Sequence, residues 1–496
     1  MVDILFEKSL TKTSFARGWQ CKKHLWYHRN QPIVNPEIEK QTQIFRTIGN
    51  PIQELAFKQF PGGVNCHVQN TDNEKDWSQS LKKTKEQVQK GITTLYHATF
   101  QYNDLLCDIH ILSKKGDAWE AYIVKNATRV SEQNLINAAY QYWVIEQAGF
   151  KLSKIAFLVI DNKYVRQGDI NRNKLFKPTN VTQKVTRLLP KIKQDVNEQI
   201  KALNSFNKPK IEIGQHCTEP RPCPYQKQCW DKVPSNSVFD LVGFSKVAAF
   251  QFWKSGIKKI NQIPLKHELS TNQEIQRQNK IRINTDAIAR FLEGFHYPLL
   301  FIDFEAFVPA IPQFRNSRPF ELIPFLFAGI KMAAEGKKPI PVSYICPVDR
   351  DPRLEFAQRL LEVTSGVNTI LVYDPLTEKN IINRLINQFP EFEEDLKDVK
   401  NKIIDLSIPI KQKDYYLPQM KGYHSMKHVL PAISKEHHYR NLEIQSGRMA
   451  ATTYQMLRSM TDKTEIEKQL DNLLVYCERD AIGLLKVYEA LRNATK

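Results

Sequence analysis

YPLLFIDFEAF, residues 297–307, joins an apolar run to two closely spaced acids. The apolar residues 299–302 are typical of a strand that is buried on both faces. Asp303 and Glu305 follow, and residues two apart in a strand point to the same side, so both carboxylates would occupy one small volume. Their mutual repulsion has to be offset by cations, and we interpret the pair as ligands of a divalent metal. The alternative is an edge strand that carries two solvated acids.

The composition is typical of a soluble globular protein with two or three domains. The chain has 496 residues, of which 42% are hydrophobic and 25% are charged. The formal net charge of +18 favours nucleic acid as a partner, ahead of an anionic membrane, although a lysine-rich proteome would produce the same charge. No apolar run reaches about 18 residues, the length of a membrane span, and the first residues lack a signal-peptide core. We therefore expect a cytoplasmic protein with no membrane partner.

The first part of the chain predicts a sheet followed by a helix. Residues 96–124 have a period of two, which predicts a meander of antiparallel strands, and a long helix is predicted at 131–149. Asp108 lies on one strand, Lys125 follows the next strand, and Gln141 lies on the helix. This order resembles the core of the RecB-like, PD-(D/E)XK nucleases. The resemblance implies a restriction-endonuclease-like α/β domain with these three residues in its site.

This domain departs from the family pattern at two positions. Where a histidine often follows the first helical glycine, Gly49, the chain has Gln53. Where the family has Glu-x-Lys, the chain reads Ile123-Val124-Lys125. An isoleucine cannot ligate a metal, and Asp108 is left as the only evident acidic ligand, so Mg²⁺ would lack the oxygen ligands that it needs. We therefore expect a catalytically degraded site in which Lys125 can still hold phosphate, so that the domain binds nucleic acid without cutting it.

Three cysteines follow this domain within a short segment, HCTEPRPCPYQKQCW. They require a fourth ligand to form a metal site, and Cys21, far upstream, is the candidate. One early cysteine and three late ones resemble the iron–sulfur members of the RecB-like family, which implies a four-iron cluster. Zinc and free thiols remain as alternatives. The remaining four cysteines are interpreted as ordinary thiols, and the four cluster candidates are Cys21, Cys217, Cys223 and Cys229.

The last part of the chain predicts three strands followed by alternating helices and strands. This is the order of the RNase H-like fold. Carboxylates recur at Glu378, Asp405 and Asp480. The strands are predicted at 299–307, 320–332, 340–346, 369–373 and 403–406, and the intervening helices at 351–365 and 378–389.

The acids of this part resemble those of the DEDDy class of three-prime to five-prime exonucleases. Asp303-x-Glu305 and Tyr476-x-x-x-Asp480 match the class, and helical spacing places Tyr476 one turn from Asp480. In the second motif Glu378 replaces the usual aspartate. The resemblance implies two Mg²⁺ or Mn²⁺ ions held by the four acids. It implies that the tyrosine orients water, because a phenol with a pKa near 10 is a poor base.

The two resemblances together cover nearly the whole chain. The segments DFEAFVPAIPQFRNSRPFELIPFLF, DLSIPI and SMKHVLP resemble a bacterial family, catalogued mostly as a domain of unknown function, in which an exonuclease-like domain follows a RecB-like module. We expect an α/β multidomain protein that hydrolyses phosphodiester bonds of nucleic acid, DNA ahead of RNA, with a catalytically inactive binding scaffold as the alternative. The predicted domains are the RecB-like module at 1–235, a helical connector at 236–290 and the RNase H-like domain at 291–496.

Overall fold

The chain divides into two compact units. The computed structural model describes residues 9–33, 51–71 and 74–496. The first unit comprises residues up to 232 together with 310–319, and the second comprises 233–309 and 320–496. Both units combine helices with a β-sheet, which confirms the predicted α/β multidomain class.

The sheet of the first unit has seven strands. Its order is β2-β3-β4-β5-β6-β7. β1 pairs with the first two residues of β4, along the edge that β5 does not cover. The β2–β3, β1–β4 and β5–β6 pairs are parallel, and the others are antiparallel, so the predicted meander forms the centre of a mixed sheet. The strands are β1 (Leu10–Thr11), β2 (Val64–Asn65), β3 (Thr94–Tyr102), β4 (Leu105–Lys115), β5 (Ala118–Val124), β6 (Leu152–Ile160) and β7 (Phe176–Asn180).

Helices of the first unit enclose a core on this sheet. The sequence from Ile44 to Phe60, which ends at Pro61-Gly62-Gly63, predicts a helix; residues 51–57 are helical, and 44–50 lie outside the described residues. Buried residues of the long helices, such as Tyr140 and Ile192, join Phe100 and Phe157 of the sheet in one cluster. The helices are α1 (Lys12–Gln20), α2 (Lys22–Asn30), α3 (Trp77–Gln89), α4 (Glu132–Gln147), α5 (Arg172–Leu175), α6 (Thr182–Leu203) and α7 (Gln226–Cys229).

The main sheet of the second unit has five strands in the order β11-β10-β9-β12-β13. The pairs of β10 with β9 and β11 are antiparallel, and those of β12 with β9 and β13 are parallel. A separate two-stranded sheet joins β8 and β14. The strands are β8 (Arg282–Ile283), β9 (Leu299–Phe307), β10 (Ile323–Met332), β11 (Ile340–Ile345), β12 (Thr369–Val372), β13 (Ile403–Asp405) and β14 (Tyr415–Tyr416).

Four strands of this unit are one to three residues shorter than predicted, and a left-handed residue lies beside two of them. Phe320 has φ +60° and precedes β10, and Asp374 has φ +60° and follows β12. Such a backbone conformation cannot continue a strand. The helices of this unit are α8 (Lys246–Lys254), α9 (Thr271–Gln278), α10 (Thr285–Glu293), α11 (Arg353–Thr364), α12 (Leu376–Gln388), α13 (Glu393–Asn401), α14 (Ile408–Lys411), α15 (Met426–Ile433), α16 (Gly447–Leu457) and α17 (Lys463–Asn493).

The two faces of β9 pack against different helices. Leu299 and Phe301 belong to the cluster that contains Leu484 of α17. Leu300 and Ile302 belong to the cluster on the opposite face, with residues of α11, α12 and α13. Because side chains alternate along a strand, the odd-numbered residues that follow, Asp303 and Glu305, share the α17 side. This alternation directs both carboxylates toward α17, the helix that carries Asp480.

Candidate functional site

An acidic centre lies between β9 and α17. Asp303, Glu305 and Asp480 each offer a carboxylate oxygen, and the three oxygens lie within 4.8 Å of one another. Glu305 is buried, whereas Asp303 and Asp480 are partly exposed, so the centre remains open on one side. Gly447, the first residue of α16, closes another side, because a β-carbon there would approach Oε2 of Glu305 to 3.4 Å. The structure therefore brings together three of the four acids predicted as metal ligands.

The fourth predicted acid, Glu378, lies near this centre but not within it. It occupies the first turn of α12, is 4% exposed, and its Oε2 has no hydrogen-bond partner. Its charge contributes to raising the pKa values of Asp303 and Glu305. An orphaned carboxylate oxygen of this kind is costly to bury and indicates that a partner is missing.

Two other acids near Glu378 belong to a separate cluster. Asp374 has a side chain that is 61% exposed and pairs with Lys411 at 3.4 Å. Asp405 pairs with the same lysine at 3.0 Å and accepts hydrogen bonds from Ser407. Lys411 thus pairs with both carboxylates and holds them apart from the acidic centre.

Loss of solvation and mutual repulsion raise the pKa values of the acidic centre. Burial raises the pKa of Asp303 well above its ordinary value, and the charges of Asp480, Glu305 and Glu378 add to the rise. The same causes, burial first and then the Asp480 and Glu378 charges, raise the pKa of Glu305 to about 8. Burial raises the pKa of Glu378 to about 7 and that of Asp480 to about 6. At neutral pH the four carboxylates therefore resist full ionisation unless a cation joins them.

Two tyrosines flank Asp480. Tyr476 lies one helical turn before it, as the sequence predicted, and is 5% exposed. Burial and the charges of Asp480, Glu305 and Asp303 raise the pKa of Tyr476 far above its ordinary value, so its hydroxyl group stays protonated at neutral pH. It can donate a hydrogen bond but cannot serve as a base.

The second tyrosine, Tyr439, was not found from the sequence. Its hydroxyl group donates to Oδ1 of Asp480, and its ring lies 6.0 Å from the ring of Tyr476 between centroids. Tyr439 belongs to the loop between α15 and α16, which Arg479 holds by donating to the backbone oxygen of His438 at 3.3 Å. No periodic pattern or motif marks this loop in the sequence.

The residues of the acidic centre fit divalent magnesium or manganese. Both metals prefer oxygen ligands, and every candidate donor here is a carboxylate oxygen. The orphaned Oε2 of Glu378 and the raised pKa values of its neighbours show negative charge that the described side chains leave uncompensated. Asp303, Glu305 and Asp480 would hold such ions, with Glu378 at the edge of the site. That two ions bind here, and that they are Mg²⁺ or Mn²⁺, stay predictions.

The first unit brings together the residues predicted for its degraded site. Gln141 Nε2 donates to the backbone oxygen of Asp108 at 2.6 Å. Lys75 Nζ lies 3.5 Å and Lys12 Nζ lies 3.9 Å from the carboxylate of Asp108. Lysine ammonium groups, rather than further acids, thus surround this carboxylate. Ile123 is 2% exposed and packs in the core, so it offers nothing to a metal.

The four cysteines predicted as cluster ligands line one cavity. Cys21 lies between α1 and α2, Cys217 and Cys223 follow α6, and Cys229 ends α7. Burial opposes ionisation of Cys21 and Cys217, but hydrogen bonds from His216 lower the pKa of both thiols.

The donor set of this cavity fits a thiolate-bound metal group. Cys21, Cys217, Cys223 and Cys229 each offer a sulfur atom to it. Within residues 9–33, 51–71 and 74–496, only the acidic centre brings three or more His, Cys, Asp or Glu ligand atoms within 4.8 Å of one another. No three cysteine sulfurs are therefore as close as the ~3.8 Å expected around a tetrahedral zinc ion.

Comparison with known proteins gives one match. Residues 300–425 match a family described as a domain of unknown function (DUF2779). The matched range includes Asp303, Glu305 and Glu378 but ends before Tyr439 and Asp480, and the description carries no activity. Neither the curated proteins nor the solved structures gave a match.

The described helices were also compared with the length and apolarity of membrane spans. Within the three described ranges, no helix has enough of both to cross a membrane.

Proposed function

We propose that the protein is a metal-dependent nuclease whose second unit hydrolyses phosphodiester bonds, acting as a three-prime to five-prime exonuclease. Three carboxylates gathered in one volume without a compensating cation support this most strongly. The strand order β11-β10-β9-β12-β13, with its antiparallel and parallel pairs, is also that expected of an RNase H-like domain. The resemblance of Asp303-x-Glu305 and Tyr476-x-x-x-Asp480 to the DEDDy class gives the direction of cleavage.

Each residue of the centre has a part in this proposal. When bound, two divalent ions supply charge stabilisation to the attacking and leaving oxygens of the phosphodiester. Asp303, Glu305 and Asp480 hold the ions, and the partly exposed side of the centre admits the strand end. Tyr476 orients the attacking water by donating a hydrogen bond, because its protonated phenol cannot remove a proton.

The cysteine cavity holds, in this proposal, an iron–sulfur group with a structural role. Such a group would tie the α1–α2 junction to the segment after α6, closing a long loop of the first unit. The first unit then contributes nucleic-acid binding rather than cleavage, because Asp108 is surrounded by lysines.

Digestion of end-labelled strands tests the proposed activity. Single-stranded DNA and RNA, labelled at either end, are incubated with the full chain and Mg²⁺ or Mn²⁺. Wild type should shorten strands from the three-prime end, and Asp303→Asn should not. Glu394→Gln, which changes an exposed acid on α13, is the matched control and should cleave as wild type does. Equal cleavage by Asp303→Asn and wild type would show that the acidic centre takes no part in the reaction. Binding of strands without any cleavage by wild type would favour the alternative, a catalytically inactive binding scaffold.

A further inference from the structure

A pocket of the second unit is lined by cationic, amide and hydroxyl side chains. Its volume is about 310 Å³, well above the roughly 30 Å³ that one water molecule occupies in the liquid. Segments that are distant along the chain form it, among them the turn that contains Lys259, the end of α9 at Arg277, and the stretch from Tyr416 to Lys421. None of the described residues that line it is an aspartate or a glutamate. The pocket therefore offers a ligand positive charge and hydrogen-bond donors.

Tyr416 lies at the buried end of this pocket and carries an unpartnered hydroxyl group. The residue is 0% exposed, and its Oη has no hydrogen-bond partner among the described residues. Burial raises the pKa of Tyr416, and the nearby backbone N–H of Gly422 opposes the rise without reaching hydrogen-bond geometry. An N–H group can only donate, so the hydroxyl proton still lacks an acceptor. A buried donor of this kind is costly and indicates that a ligand supplies the acceptor atom.

Two lysines of the pocket carry charge that no described carboxylate compensates. Lys259 and Lys421 are exposed and form no ion pair within the described part of the chain. Arg277 differs, because it pairs with Glu274 at 2.6 Å and donates to the backbone oxygen of Ile263 at 3.3 Å. Three cations and one carboxylate leave an excess of two positive charges. A phosphate monoester, whose second pKa is about 6, carries two negative charges in the range where it is fully ionised.

The backbone around Lys421 is held in one conformation. Gln276 is 6% exposed, and its Nε2 donates to the backbone oxygens of Asp240 at 2.8 Å and of Lys421 at 3.0 Å. Lys421 has φ +52°, and Asn236 and Asn279 of the same pocket have φ +56° and φ +53°. Left-handed residues other than glycine persist only where their surroundings hold them, and they are frequent where a ligand is held.

We propose that this pocket binds the phosphate monoester of a nucleotide, with the Tyr416 hydroxyl group donating to a phosphate oxygen and Lys259 and Lys421 supplying charge. The phosphate offers acceptor oxygens to the buried hydroxyl group and two negative charges to the lysines. A phosphodiester within a strand carries one negative charge, so this site differs from contacts along a nucleic-acid backbone.

The phosphate site follows from the contacts of the second unit alone. Naming a nucleotide as the carrier of the phosphate rests on the proposed function, in which cleavage at a strand end releases mononucleotides. The carrier is either such a free mononucleotide or the phosphorylated five-prime end of a strand, since both present the same group.

Calorimetric titration with methyl phosphate tests the site. The full chain is titrated at pH 8 and constant ionic strength, with a chelator that removes divalent metal from the acidic centre. We expect wild type to bind methyl phosphate and Tyr416→Phe to bind it at least about tenfold more weakly, the loss expected for one hydrogen bond to a charged group. Lys259→Gln should weaken binding by about threefold, because its charge is exposed. The controls Tyr423→Phe and Lys254→Gln, which change an exposed tyrosine and an exposed lysine outside the pocket, should bind as wild type does.

Thermal unfolding in phosphate-free buffer separates a ligand-binding hydroxyl group from a structural one. Tyr416→Phe keeps the buried ring and removes only the unpartnered group, so the variant should be as stable as wild type or more stable. A loss of stability would show that the hydroxyl group has a partner within the protein and would overturn the proposal. Equal affinities of Tyr416→Phe and wild type for methyl phosphate, or no binding by wild type, would overturn it as well.

Further ligands identify the charge and the carrier of the phosphate. Dimethyl phosphate, a diester with one negative charge, should bind at least about tenfold more weakly than methyl phosphate, and equal affinity would contradict a monoester site. A nucleoside monophosphate or a strand with a five-prime phosphate should displace methyl phosphate, and the one that does so is the carrier. Displacement by neither would exclude a nucleotide, and displacement by the same strand with a five-prime hydroxyl would indicate backbone contacts instead. Asp303→Asn should bind methyl phosphate as wild type does, so a failed nuclease assay and a failed phosphate site are told apart.

Discussion

Glu305→Gln should weaken the pH dependence of stability that the acidic centre imposes on the metal-free protein. The pKa of Glu305 is raised from 4.5 to about 8, and at about 1.4 kcal/mol per pH unit this corresponds to about 5 kcal/mol. Between these two values the folded state binds more protons than the unfolded state, so the free energy of unfolding falls as pH rises. Glutamine is nearly isosteric and does not titrate, so the variant should lose this contribution.

The difference should appear in thermal unfolding with a chelator present. From pH 5 to pH 8 the wild type should lose about 4 kcal/mol relative to Glu305→Gln, which is about 10 °C in Tm for a unit of this size. Saturating Mn²⁺ should offset most of this loss in wild type, because binding at a hundred times Kd adds about 2.7 kcal/mol, and it should stabilise the variant less because the variant lacks one ligand. Glu394→Gln is the control and should follow wild type throughout. Parallel curves for wild type and Glu305→Gln in the chelator would refute the reasoning.

Three further outcomes follow from other parts of the structure. Tyr439→Phe should raise the pKa of Asp480 by removing a hydrogen bond, so the acidic limb of the pH–rate profile should move to higher pH and a higher Mn²⁺ concentration should be required. The control, Tyr423→Phe at an exposed tyrosine, should leave the profile and the Mn²⁺ requirement unchanged. An unshifted profile for Tyr439→Phe would show that Tyr439 only packs against its neighbours. Cys223→Ser should lower the iron content and the stability of the first unit, and stoichiometric zinc without iron in anaerobically purified wild type would contradict the cluster. Affinity for a DNA strand should fall steeply between low and physiological salt, because a chain with net charge +18 releases counterions from the DNA when it binds. An affinity that does not change with salt concentration would exclude phosphate contacts as its main source.

The sequence was sufficient for the parts of the fold that local pattern determines. The apolar run and the period-two spacing of Asp303 and Glu305 predicted both the strand β9 and the shared direction of the two acids, because burial and alternation act within a few residues. Helical spacing likewise predicted that Tyr476 and Asp480 lie one turn apart on the same helix. Strand ends were less accurate: Phe320, predicted as the first residue of β10, has a left-handed backbone that no glycine signals.

The contacts that complete the sites could not be predicted in this way. Tyr439 reaches Asp480 from a loop 41 residues earlier, and no propensity or spacing specifies how that loop returns to α17. Lys12 and Lys75 likewise approach Asp108 from elements that are distant along the chain. The grouping of Cys21 with the later cysteines was implied by a resemblance rather than by spacing. Long-range contacts of this kind depend on the packing of whole elements, which local pattern does not contain.

One substitution of a single substrate atom tests the central claim most directly. Replacing a non-bridging oxygen of the three-prime terminal linkage with sulfur weakens contact with Mg²⁺, which requires oxygen ligands, more than contact with the softer Mn²⁺. If the acidic centre holds metal against the scissile phosphate, one phosphorothioate isomer should be cleaved at least about tenfold more slowly in Mg²⁺, a loss of about 1.4 kcal/mol, and Mn²⁺ should restore the rate. Equal effects of sulfur in both metals, for both isomers, would contradict metal-dependent hydrolysis at this centre.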